Sequence, residues 1–370
     1  TFFRTFFSWD PDGLATANTQ VLPALIPYEI FRSFSLGLLG LSPVVAEKIL
    51  FYLCFTLSGF SMYYLVRVTG ERSRIVALVA AFFYMLNPYN MVFTWGSAIT
   101  RTMFFYTSFP LILALFIKGL NERRGFKYIL FFCLLWMLTT NSAYTNPKWM
   151  ALTWVVLILY LVFHILVSRN EQTILCSLRF TGVFLGFWLA LNLYWLIPNF
   201  YALQTDLGST FSVYKATGTV DIMAAWLSGS LPSITDAMRL TGFWGLRAGI
   251  GGDPFYTWSS AYSSRFLLFT GFLIPIVAFS SLLPRSQNKY VVFFTLLALL
   301  IIFQLKGANP PFGEFTRWFF TNISLLRDIG VSPFLNLSPA LILSYSFLIG
   351  YGIDSLYHLI DKGENDTVSS

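Results

Sequence analysis

Apolar residues run along this chain in long blocks separated by polar stretches, and that alternation sets the expected architecture. Blocks lie at about 43–68, 75–86, 102–120, 128–140, 149–167, 174–203, 265–283, 290–305 and 336–360. A helix that crosses a bilayer needs roughly 20 largely apolar residues, so the pattern predicts an all-α polytopic transmembrane helical bundle with about nine spans. The second block stops at Asn87-Pro88-Tyr89-Asn90, where the proline disfavours continued helix. Residues 21–41 are also apolar but carry Pro23, Pro27, Glu29 and Arg32, which predicts an interfacial segment rather than a span.

The loops divide into two sets. Those at 67–74, 118–127, 169–179 and 285–289 are short and basic, whereas those at 1–42, 87–102, 141–148, 204–264 and 306–335 are longer. Lys and Arg crowd the cytoplasmic ends of spans, so the first set is expected inside and the second outside. The expected organisation is an exoplasmic loop with interfacial helices (1–42), spans one to six (43–203), a long exoplasmic loop (204–264), spans seven to nine (265–360) and a polar cytoplasmic tail (361–370). A plasma-membrane, multi-pass location follows. The chain begins at Thr1 and reads as a fragment lacking an upstream segment.

Composition changes this picture little. The chain is 56% hydrophobic and 11% charged, with mean hydropathy +0.65, against about 25% charged in soluble domains. The net charge of +7 is explained by the basic loop ends and does not call for nucleic acid. Three cysteines, Cys54, Cys133 and Cys176, and two histidines, His164 and His358, show no ligand spacing, so neither a disulfide frame nor a zinc site is indicated.

Candidate chemistry concentrates in the outer loops. Ser8-Trp9-Asp10-Pro11-Asp12-Gly13 places two carboxylates beside an indole in a chain where charge is scarce. The same residues suit a bare turn, and both readings stand. Arg101 opens the third block, Lys148 opens the fifth, and Arg327-Asp328 precede the ninth. Each cation reads either as an anion ligand or as a side chain snorkelling to headgroups. The loop at 204–264 holds Trp226, Phe243, Trp244, Tyr256, Trp258 and Tyr262 among glycines and serines, read as a sugar-binding surface or an interfacial aromatic belt.

The acidic first loop, the second block ending Asn87-Pro88, Arg101 followed by Phe109-Pro110, and Leu325-Leu326-Arg327-Asp328 entering the last block together resemble the GT-C glycosyltransferase superfamily. The nearest likeness is to the membrane domain of the cell-wall arabinofuranosyltransferase D type and its uncharacterised prokaryotic relatives, over 9–43, 83–110 and 325–349. That resemblance implies transfer of a sugar from a polyprenyl-phosphate donor, with inversion, to an exoplasmic glycan, lipid or protein acceptor. An aspartate of the first outer loop would be the base: Asp10, with Asp12 sharing or orienting it. Arg101, Lys148 and Arg327 would bind the donor phosphate, and Trp9, Trp244 and Trp258 the sugars. The acid pair would also suit Mg²⁺ or Mn²⁺, although two carboxylates alone are a thin ligand set. Two other readings are a lipid-linked glycan flippase or transporter, and a catalytically inactive assembly subunit. Transport coupled to protons or sodium would place ionisable groups at mid-span, and the block interiors are nearly free of them.

Overall fold

The computed structural model describes residues 30–70, 73–94, 99–122, 127–129, 131–133, 135, 147–168, 170–204, 233–246, 249–250, 253–254, 256–283, 288–322 and 333–368. The helices in chain order are α1 (Pro43–Val68), α2 (Arg74–Met85), α3 (Ile99–Asn121), α4 (Pro147–Ser168), α5 (Glu171–Gln204), α6 (Ile234–Met238), α7 (Arg265–Gly271), α8 (Leu273–Ser280), α9 (Lys289–Leu305), α10 (Gly313–Asn322) and α11 (Pro333–Val368). π-Helical turns lie at Ser33–Leu38 and Asn90–Thr94, and the extended pair Gly249–Ile250 and Asp253–Pro254 forms a minimal antiparallel ladder.

Among the described residues six segments are long and apolar enough to cross a membrane: Pro43–Val68, Arg74–Val92, Met103–Asn121, Trp149–Ser168, Glu171–Leu193 and Pro333–Asp361. The protein is therefore a helical, multi-pass membrane protein. Among the described residues these are six of the nine spans expected from the sequence, the first, second, third, fifth, sixth and ninth. The expected seventh is a shorter apolar helix, Arg265–Ser280, whose hydrogen-bond ladder is interrupted for one residue at Phe272 between α7 and α8. The expected eighth, α9, has 17 residues, about 26 Å at 1.5 Å per residue, at the short end of the roughly 17–25 residues that cross a hydrocarbon core of about 30 Å. The expected fourth falls mostly outside the described residues.

The α-helix of the second block ends where the proline suggested, but the apolar segment does not. Helix α2 stops at Leu86, but the apolar segment continues to Val92. Asn87 makes the joint. Its Nδ2 donates to Phe83 O (3.3 Å) and Tyr84 O (2.8 Å), and its Oδ1 accepts from Asn90 N (3.0 Å). One amide thus closes the last turn of α2 and caps the next, satisfying backbone groups that an apolar environment would leave costly.

The chain forms two compact units. The first is drawn from Thr1–Val68 and Ser97–Tyr214. In it α1 and α3 are parallel: Thr107 donates to Cys54 O (2.9 Å), and further along both helices Lys118 Nζ donates to Tyr64 Oη (3.4 Å). Helices α3 and α4 are parallel too, since Phe105 stacks on Trp149 (5.3 Å) and, the same step further along each, Phe116 meets Tyr160 (6.4 Å). Helix α5 runs the other way, Phe184 beside Phe116 (6.2 Å) and Phe180 against Gly119.

The second unit is drawn from Thr69–Gly96 and Lys215–Ser370. Its axis is α11, with 89% of its apolar window buried. Its serines return their hydroxyls to its own backbone, Ser344 to Ala340 O and Ser346 to Ile342 O, which lets polar residues occupy a buried helix. Helix α2 packs antiparallel on it: Tyr89 Oη donates to Leu335 O (3.0 Å), while Val76 O approaches Gly350. Helix α9 is antiparallel as well, Asn288 Nδ2 donating to Tyr351 Oη (2.7 Å) and Phe294 stacking on Phe347 (4.2 Å).

Close helix approach here depends on glycine. A Cβ at Gly352 would overlap the Val277 carbonyl of α8 and meet Ser280 Oγ at 2.7 Å. Gly352→Ala is therefore expected to cost about 1–3 kcal/mol, read as a lower thermal midpoint in detergent. Gly186 on α5 has nothing within 4 Å of such a carbon, so Gly186→Ala leaves the midpoint unchanged or raises it. Equal midpoints for the two variants would contradict the packing.

Candidate functional site

The parallel course of α1, α3 and α4 fixes the electrostatics of the first unit. All three helices start at one end, and none has an acidic residue in its first turn. Helix N-termini carry partial positive charge from unpaired N–H groups, and each normally attracts an acid. Arg101 instead sits in the first turn of α3 and Lys148 in the first turn of α4. The Phe105–Trp149 stack, just beyond them, holds these two ends side by side. Sequence reasoning singled out both cations separately, and the structure brings their backbone positions to the same end of one unit. Two formal charges and aligned helix dipoles of one sign make that end attractive to an anion.

The opposite end of this unit is a mixed, mostly basic cluster. Tyr128 Oη donates to Glu122 Oε2 (2.7 Å), and Lys127 and Lys118 lie 3.6 and 4.0 Å from the same carboxylate. The Tyr128 hydrogen bond, helped by the Lys127 charge, holds Glu122 below its usual pKa. Arg67, in the last turn of α1, lies at this end too.

In the second unit, α6 is anchored by a capping box. Ser233 Oγ accepts from Asp236 N, and the Asp236 carboxylate receives Ser233 N (3.1 Å) and the Ser233 hydroxyl. Arg239 Nη2 then donates to Asp236 Oδ1 (3.0 Å) and Nε to Thr235 O (3.3 Å), with its guanidinium over the Phe272 ring (5.5 Å). Its stem lies on Gly271, at the break between α7 and α8. Both partners are almost fully buried, at 6% and 3% side-chain exposure. The Ser-x-x-Asp signal for this helix was present in the sequence, but the burial of its acid was not.

Trp258 belongs to a file of rings. Tyr256 stacks on it at 4.7 Å, Tyr262 lies 5.8 Å beyond and Phe243 supports Tyr256 at 6.3 Å. The indole keeps 41% exposure, so this file offers an aromatic surface of the kind sugar rings use. Trp244 starts the turn Trp244–Leu246.

The residue sequence reasoning missed is Lys306. It follows α9 and is wholly buried, its Nζ donating to Asn309 O (2.8 Å) and Gly307 O (3.3 Å) above the Phe303 ring (4.5 Å). Burial pushes its pKa down. Its signal in the sequence was the string of turn formers after it, Gly307-Ala308-Asn309-Pro310-Pro311-Phe312-Gly313.

Trp9, Asp10, Asp12 and Arg327 lie outside the described residues. Among the described residues no group of three or more His, Cys, Asp or Glu could hold a metal ion, and the pair assigned to Mg²⁺ or Mn²⁺ lies outside them.

Fold and site together define a class: a multi-pass helical membrane protein whose first unit gathers cations at the N-terminal ends of parallel helices. Comparison with protein-family models, with curated proteins and with solved structures found no match.

Proposed function

We propose that the protein is an integral membrane glycosyltransferase that moves a sugar from a polyprenyl-phosphate donor to an exoplasmic glycan, lipid or protein acceptor. The observation that carries this reading is the placement of Arg101 and Lys148 in the first turns of two adjacent parallel helices. In this reading they neutralise the donor phosphate. Asp10, with Asp12 beside it, takes the proton of the acceptor hydroxyl. The acceptor oxygen then bonds to the anomeric carbon from the face opposite the phosphate, with inversion. The anomeric C–O bond breaks, and the phosphate departs with the electron pair. Arg327 adds a further cation, and Trp9, Trp244 and Trp258 hold sugar rings. The alternation of basic and long loops supports an outer position for this chemistry, and the likeness to the GT-C superfamily supplies the donor class.

The test is binding of a polyprenyl phosphate by the protein in nanodiscs. Arg101→Gln and Lys148→Gln are each expected to weaken it about ten- to a hundredfold, as loss of a charged hydrogen bond implies. Wild-type affinity in both variants would remove the phosphate assignment. Intact binding with no transfer from any donor would favour the inactive assembly subunit.

A further inference from the structure

A buried lysine normally faces an acid, and among the described residues none is paired with Lys306. Its recorded partners are two backbone carbonyls and a ring face, and the nearest acid in sequence, Glu314, is paired with Arg317 at 3.0 Å. We propose that Lys306 anchors a phosphate-binding site at its end of the second unit, its ligand a phosphate monoester or diester admitted when the tip of the 306–313 loop lifts.

Three observations carry this. An ammonium has three N–H donors and a full charge; carbonyl dipoles and an aromatic face reduce the cost of burying that charge without cancelling it. The missing negative charge is what a phosphate supplies.

The loop over the lysine is also built against local preference. Phe312 is left-handed at φ 58°, a conformation residues with a side chain rarely take, whereas Gly307 takes its φ of +59° freely, and a Cβ at Gly313 would run into the Ala308 carbonyl. Asn309 Nδ2 returns to Lys306 O at 3.1 Å to close the turn. Strained backbone that surrounding contacts hold in place is typical of ligand clamps. Pro310, Pro311 and Phe312 at the tip are exposed, and both carbonyls on the ammonium belong to the same short segment, Gly307 O and Asn309 O.

The third observation is position. The antiparallel register of α9 and α11 puts Lys306 at the end where α11 begins, beside Tyr89 and Leu335. Early in α11, Ser338 Oγ is buried without a hydrogen-bond partner, a second donor at that end. The phosphate class stands on these features; a lipid as its carrier rests on the transfer reading above.

The experiment uses the full chain in nanodiscs, titrated separately with inorganic phosphate and with undecaprenyl phosphate. Lys306→Met is expected to weaken phosphate binding at least about tenfold. Its thermal midpoint stays level or rises, because an apolar isostere removes a buried charge that no acid among the described residues offsets. Lys306→Arg keeps binding within a few-fold. Binding of the lipid alone identifies a lipid headgroup site, and binding of both probes a general phosphate site; each supports the proposal. Wild-type affinity in Lys306→Met, or a lower midpoint with affinity unchanged, makes the lysine a loop staple and overturns it. In the wild-type chain, hydrogen exchange at 306–313 should slow on adding the phosphate probe, and no change would likewise overturn the site. Because the readout is binding, a chain that binds phosphate through Lys306 but transfers no sugar ends the transferase reading and leaves this site standing.

Discussion

Asp10→Asn will lower sugar transfer by about a hundred- to ten-thousand-fold, the range a general base contributes, while leaving expression and donor binding unchanged. The amide matches the carboxylate in size and still accepts a hydrogen bond, but it cannot take the acceptor proton. Trp9 and Pro11 flank the carboxylate in sequence. Asp12→Asn should cost less, because an orienting or sharing acid acts through its neighbour. The assay is transfer from a labelled polyprenyl-phosphate sugar in membranes holding equal amounts of each variant. Wild-type rates in both variants would leave Asp-Pro-Asp-Gly as a turn and end the catalytic assignment.

The second large effect is on stability. Asp236→Ala will leave Arg239 buried beside an empty position, and removing one partner of a buried pair costs about 3–5 kcal/mol. The capping box is lost with it, at about 1 kcal/mol when such caps are removed. The combined loss should lower the thermal midpoint and open 233–246 to protease. Asp236→Leu with Arg239→Met removes both charges and should recover most of the midpoint, since apolar replacement of a buried pair is often neutral or better. A surface pair of the same spacing, Glu314 with Arg317 at 85% and 46% side-chain exposure, gives the contrast: Glu314→Ala should move the midpoint very little. If Asp236→Ala behaves like Glu314→Ala, the buried pair described here is wrong.

Long apolar runs made most of the bundle legible. Pro43–Val68 was readable to the residue, and Trp149–Ser168 and Glu171–Leu193 nearly so, because one continuous apolar run has few alternatives to a span. What stayed hidden depended on side chains far apart in sequence. Residues 265–283 read as one span, and the sequence did not show the one-residue interruption at Phe272, beside which Arg239 packs on Gly271 from a segment that looked like loop. The stop at Asn87-Pro88 was half right: proline ends α2, but the Asn87 amide repairs the joint.

The candidate site was legible as residue types rather than as places. Arg101 and Lys148 stood out for their charge at block ends, and only the parallel packing of α3 and α4 showed that they share an end. Lys306 was passed over because a lysine after an apolar block ordinarily reaches water; its burial comes from a loop that folds back over it.

The central claim is that a lipid phosphate docks where α3 and α4 begin, on the outer side of the membrane. Photocrosslinking tests it most directly. A photoactivatable polyprenyl-phosphate sugar is confined to the outer leaflet of right-side-out vesicles, and the labelled residues are mapped. The account predicts labelling at 99–105 and 147–152, lost in Arg101→Gln with Lys148→Gln. Labelling confined to the opposite end, around Arg67 and Lys127, or unchanged labelling in the double variant, would contradict it.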